Sequence, residues 1–78
     1  MIRLRVLEVL EEQGKTKYWL CKRLGMHYVS FNKMVNNQTL SIRFDTLDRM
    51  ATLLDVTPGE LLEQVSDDGQ KVVNDSQL

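Results

Sequence analysis

Apolar residues recur at intervals of three and four along most of this chain, and that spacing predicts amphipathic helices. Five helices are expected, over about residues 4–13, 17–24, 27–36, 44–54 and 58–65. The first has an alternative start, because Ile2 and Leu4 alternate with arginines as in a short extended arm. The residues expected to face a common core are Val6, Leu7, Leu10, Leu20, Cys21, Leu24, Phe31, Met34, Val35, Leu47, Met50, Ala51, Leu54, Leu61, Leu62 and Val65. The pattern therefore predicts an all-α fold, a compact five-helix bundle.

Glycine and capping residues mark the ends of these helices. Gly14 and Gly25 each follow an apolar stripe, where a helix commonly ends on a left-handed residue. Thr16 is a favourable N-cap for the second helix. The segment 57–60, Thr-Pro-Gly-Glu, combines a capping box with proline at the first helical position, so it predicts the start of the fifth helix.

Composition indicates one small domain. The chain has 78 residues, of which 42% are hydrophobic, enough for a single thin core. From Ser66 onward most residues are polar, so we expect a domain over 1–65 and a flexible tail over 66–78. The lone cysteine excludes an internal disulfide and a Cys-pair zinc site. No apolar run is long enough to cross a bilayer, and the N-terminus lacks a signal-peptide core, so we expect a cytoplasmic protein without a membrane partner.

Charge is segregated along the chain, although the net charge is only −1. Residues 14–43 contain six Lys or Arg and no Asp or Glu. Residues 1–50 carry nine basic against five acidic residues (+4), and residues 51–78 carry one against six (−5). Salt limits the reach of a charge to about 8–10 Å, so local fields decide what a surface attracts. We expect the cations of the basic run to converge on one side and to bind nucleic acid.

The segment 16–26 carries a family resemblance. It has a polar capping residue, then Leu20 followed by the small Cys21, then Gly25 followed by an aliphatic residue. With the segment 46–57, it resembles the Cro/repressor-type (XRE-like) helix-turn-helix family, and the resemblance covers residues 2–65. The departures from the family pattern are Lys17 where glutamine is commoner, Tyr28 where small polar residues are frequent, and Asn37 where an Asn-Gly exit has glycine.

The resemblance implies a lambda-repressor-like DNA-binding domain whose third helix, about 27–36, lies in the major groove. The residues then expected to read bases are Tyr28, Val29, Asn32 and Lys33. Those expected to contact the DNA backbone are Thr16, Lys17, His27, Ser30, Asn36 and Arg43. Lys33 suits a guanine edge, Asn32 an adenine edge and Val29 a thymine methyl. The implied function is a sequence-specific, double-stranded-DNA-binding transcriptional regulator, expected to act as a repressor and to require no cofactor.

Two partners other than DNA are compatible with the sequence. Helix 5 and the C-terminal end offer apolar residues for a homodimer, and paired copies would suit a pseudo-palindromic site. The alternative function is an antitoxin-type regulator that also binds a protein through its acidic C-terminal end.

An enzyme is not expected. His27 has no second histidine with which to share a metal, and Cys21 occupies a packing position without an adjacent base. No small-molecule substrate is evident. Of the adjacent aromatics, we assign Trp19 to packing and leave Tyr18 exposed, because neighbours on a helix point in different directions.

Overall fold

The computed structural model describes residues 1–66, in which short helices surround one core. The elements are β1 (Ile2–Leu4), α1 (Val6–Glu12), α2 (Lys17–Leu24), α3 (Tyr28–Val35), α4 (Phe44–Leu54), a 3-10 turn (Pro58–Leu61) and β2 (Leu62–Gln64). The bounds expected for α2 and α4 are confirmed, and α3 is one residue shorter at each end than expected. Apart from Ser66, the expected flexible tail and its candidate partner-binding residues lie outside the described residues.

The core is built from the apolar stripes that the sequence indicated. Every residue expected to face inward from α2, α3 and α4 is buried, and Phe31, Leu20, Met50 and Leu54 are completely so. In α1 the stripe also includes Val9, which is buried although its position was not expected to face the core. No polar or charged residue between 1 and 66 is buried, so within this range the core is apolar throughout.

The predicted fifth helix is wrong: the mostly helical domain has four α-helices within the described range. The capping box at Thr57 is present, with its hydroxyl accepting from the amide of Glu60 at 3.3 Å. It starts only one 3-10 turn, after which Leu62 is extended (φ −122°, ψ 147°). Leu61, the last residue of the 3-10 turn, and Val65, just after β2, are both buried, as they would have been on a helix. Burial of these side chains therefore does not favour a helix over an extended segment. The backbone N–H and C=O groups of the extended segment are satisfied by pairing with a second strand.

That second strand is the N-terminal arm. β1 pairs antiparallel with β2, with Arg3 opposite Glu63, and the two side chains form an ion pair at 2.9 Å. The expected start of helix 1 near residue 4 is thus wrong, and the alternative of a short extended arm is confirmed. β1 and β2 together join the two ends of the described chain.

Asn37 connects β1 to the segment that follows α3. Its backbone is left-handed (φ 61°), a conformation that asparagine tolerates better than most residues. Its amide oxygen accepts from the Leu4 N–H at 2.6 Å, and its amide nitrogen donates to the Leu4 carbonyl at 3.1 Å. The side chain therefore satisfies both backbone groups of Leu4 on the edge of β1 that faces away from β2.

None of the helices between residues 1 and 66 has the length and apolar character that a membrane span requires. The same residues contain no group of three His, Cys, Asp or Glu side chains that could hold a metal ion.

Candidate nucleic-acid interface

A fixed turn joins α2 to α3. Gly25 ends α2 in the left-handed conformation expected for it (φ 69°), and Gly14 does the same after α1 (φ 68°). The Cys21 thiol is buried and donates to the Met26 carbonyl at 3.2 Å. From α4, Arg49 donates to the last carbonyl of α2 at 3.2 Å and to the preceding one at 2.9 Å. These contacts fasten the turn to α2 and α4 to the C-terminal end of α2, and the burial of Cys21 confirms it as a packing residue.

The outward face of α3 carries the residues expected to read bases. Since Phe31, Met34 and Val35 are buried, the 3.6-residue period turns the opposite side of the helix outward. Tyr28 and Val29 are 47% and 68% exposed. Lys33 is exposed and Asn32 is half-buried. This face carries no carboxylate, and it combines hydrogen-bond donors with an apolar contact.

Lys17 brings the first turn of α2 against this face. Its Nζ donates to the Asn32 Oδ1 at 2.9 Å and lies 5.8 Å from the centre of the Tyr28 ring. Residues 28 and 32 are four apart on α3 and therefore share a side of the helix. The sequence assigned Lys17 to a phosphate, whereas the structure places it on an expected base reader. The structure therefore brings three of the predicted site residues together: Lys17, Tyr28 and Asn32.

The other residues expected at the DNA backbone form no side-chain hydrogen bond with this cluster in the part of the chain that the structure describes. Thr16 is the N-cap of α2, and its hydroxyl accepts from the Trp19 amide at 3.1 Å, which confirms the predicted cap. His27 is the N-cap of α3, but its side chain makes no capping hydrogen bond. His27, Ser30 and Asn36 are all exposed.

Arg43 lies at the N-cap of α4 and has an acidic neighbour. Its Nε lies 3.0 Å from one Asp45 oxygen, and its terminal nitrogen donates to the other oxygen at 3.2 Å. The hydrogen bond from Arg43 lowers the pKa of Asp45, and Asp45 in turn raises the pKa of Arg43. Both side chains are mostly exposed, so the ion pair contributes little to stability.

The expectation that all cations of the basic run converge on one side is wrong. Lys15 Nζ and Arg23 Cζ lie 4.6 Å and 4.5 Å from the Trp19 ring centre. Lys17 contacts α3, and Trp19 lies two residues later on α2, about 200° around the helix. The two cations at the Trp19 ring therefore face away from α3. Trp19 packs against the core as expected, while Tyr18 is 64% exposed.

The Lys17–Asn32 contact was missed by sequence reasoning. The two residues lie on different helices, 15 positions apart. Residue spacing indicates which side chains share a face of one helix, but it does not give the distance between two helices. The acid-free run contained both residues and was the only available signal.

Two short helices joined by a glycine turn, with a donor-rich outward face on the second, define a helix-turn-helix domain. The chain belongs to the family of Cro/C1-type HTH DNA-binding domains, whose family model matches residues 5–67. Its fold is similar to the crystal structure of a "putative DNA-binding protein" from Bacteroides fragilis. That similarity has a TM-score of 0.74 at 28% identity, and it covers 81% of this chain and all of the other. No curated protein shows significant similarity.

Proposed function

We propose that this protein is a sequence-specific, double-stranded-DNA-binding transcriptional repressor whose α3 reads the major groove. One observation carries the proposal: the outward face of α3 is free of acids and accessible, and the start of α2 lies against it through Lys17. An α-helix fits the major groove of B-DNA, and donors on such a helix suit the acceptors of the base edges. Family membership and the DNA-binding description of the Bacteroides fragilis neighbour support the same function.

In this arrangement the residues of the interface divide into two groups. Those that read base edges are Tyr28, Val29, Asn32 and Lys33. Those that contact phosphates around them are Thr16, His27, Ser30, Asn36 and Arg43. Phosphate contacts give affinity that falls as salt rises, and base contacts give preference among sequences. Repression then follows from occupancy, since a bound protein blocks access to the site.

We propose further that two copies bind adjacent half-sites, because one small module contacts only a few base pairs. The surface first expected to pair them is revised. Val65 is buried and Leu62 is partly buried against the core, so these two residues leave little apolar surface free. Val72 and Val73 lie outside the described residues. Sedimentation of the full chain, free and on a selected duplex, tests this: one copy per duplex at saturation would contradict it.

The experiment that tests DNA binding is selection from a randomised duplex library, followed by titration at several salt concentrations. We expect one enriched motif, and an affinity that falls linearly with salt on logarithmic axes. Lys33→Ala should weaken binding to the motif more than to an unrelated duplex. An absence of duplex affinity even at low salt, or affinity without any enriched sequence, would contradict the proposed function.

A further inference from the structure

Lys17 occupies an unusual position for a lysine at the edge of a DNA-binding face. It is half-buried, although a phosphate-binding lysine needs only a flexible, exposed stem. Its ammonium lies between two residues of α3, the Asn32 amide at 2.9 Å and the Tyr28 ring at 5.8 Å. We propose that Lys17 determines base specificity: with Asn32 it reads a guanine, where Asn32 alone would read an adenine. This inference rests on the proposed function, in which α3 enters the major groove.

The first step concerns the orientation of the Asn32 amide. A lysine ammonium has three donors and no acceptor, so of the two ends of the Asn32 amide only the oxygen can bond to it. The contact with Lys17 therefore turns Oδ1 toward α2 and leaves Nδ2 as the free end of the amide. A charge-assisted hydrogen bond of this length is stronger than one between neutral groups, and partial burial of both residues reduces competition from water. The nearby Tyr28 ring supports the ammonium from a second side.

The second step concerns the base edge that this pair fits. Adenine presents an acceptor and an amino donor in the major groove, so an asparagine reads it by donating with Nδ2 and accepting with Oδ1. Here Oδ1 already accepts from Lys17, and an adenine amino group brought to its second lone pair would lie beside the cationic ammonium, which disfavours adenine. Guanine presents two acceptors, O6 and N7. These fit Nδ2 and the two N–H groups of Lys17 that the Asn32 contact does not use.

The structure supplies a matched control on the same helix. Lys22 also has its ammonium near an aromatic ring, 5.4 Å from the centre of Tyr18. It is exposed and makes no hydrogen bond to α3 within the described residues. Replacing Lys22 removes the same charge from α2 without freeing the Asn32 amide. A difference between the two lysine variants therefore reports the contact with Asn32 and not the loss of a cation.

The test is selection from a randomised duplex library with the full chain, its Lys17→Met, Lys22→Met and Asn32→Ala variants. We expect the wild type to prefer guanine at one base pair, and Asn32→Ala to lose preference at that base pair. Lys17→Met should shift the same base pair toward adenine, changing the guanine-to-adenine ratio by about tenfold or more. Lys22→Met should leave the ratio unchanged. Lys17→Gln, whose side chain also accepts hydrogen bonds, is a second variant in case Lys17→Met does not fold. It should likewise lose the preference for guanine.

Three results would overturn the role of Lys17 while leaving the proposed function intact. The wild type could prefer adenine at the base pair that Asn32→Ala affects. Both Lys17 variants could keep the guanine preference. They could also lose affinity for every duplex equally, which would make Lys17 a phosphate contact. Selection that enriches no sequence with the wild type would refute the proposed function itself, and the role of Lys17 with it.

Discussion

Asn37 should contribute to stability through its two hydrogen bonds to the backbone of Leu4. The Asn37→Gly variant keeps the left-handed backbone (φ 61°), which glycine adopts freely, but removes both hydrogen bonds to Leu4. Leu4 is only 7% exposed, so its backbone groups would be left largely without solvent. A hydrogen bond contributes about 0.5–1.5 kcal/mol net, so the loss of two should lower the free energy of unfolding by about 1–3 kcal/mol.

Asn37→Ala should be worse by about another 1 kcal/mol, because alanine also resists the left-handed conformation. Asn36→Ala at the neighbouring position is the control. The Asn36 side chain is exposed, so we expect its removal to change the free energy of unfolding by no more than about 0.5 kcal/mol. Urea unfolding monitored by circular dichroism measures all three variants. Each kcal/mol should also lower the Tm of a domain this size by about 4–8 °C. An Asn37→Gly variant with the midpoint and slope of the wild type would refute the contribution of these contacts.

Three further predictions concern the interface and its turn. Asp45→Asn removes the carboxylate that competes with phosphate for Arg43, so titration should show tighter binding to all duplexes, which Asp48→Asn should not reproduce. Lys33→Ala should cost about 1–3 kcal/mol on the best site and relax preference at one base pair, as selection would show. Gly25→Ala should lose about 1–2 kcal/mol in urea unfolding from strain alone, since nothing lies within 4 Å of a Cβ there, and Gly25→Val should lose more. Equal effects of the two aspartate variants, an equal loss on all sequences for Lys33→Ala, or a neutral Gly25→Val would contradict these expectations.

The central helices could be predicted because independent local signals agreed. At α2 the N-cap threonine, the stripe through Leu20 and Leu24 and the terminal Gly25 all indicated the same bounds. The outward face of α3 could be predicted from the apolar stripe that the same helix buries. These features depend on residues close together in the chain, which is the range over which periodicity and capping carry information.

The two strands could not be predicted with the same security, because their pairing joins residues about 60 positions apart. Leu61 and Val65 are buried equally well on a helix or on an extended segment, so their spacing did not separate the two. The alternation of Ile2 and Leu4 indicated an extended arm, but nothing in it identified Leu62–Gln64 as the partner. The Lys17–Asn32 contact was likewise hidden, since it depends on the angle between two helices.

The most direct test of the central claim is the amide spectrum of the labelled protein, titrated with a duplex selected by the wild type. If α3 enters the major groove, the largest shift changes should fall on Thr16, Lys17 and the segment 27–36. The amides of β2 and the indole N–H of Trp19, whose ring lies on the far side of α2, should change little. Changes concentrated on β2 or on the Trp19 indole, with α3 unaffected, would contradict the placement of the DNA.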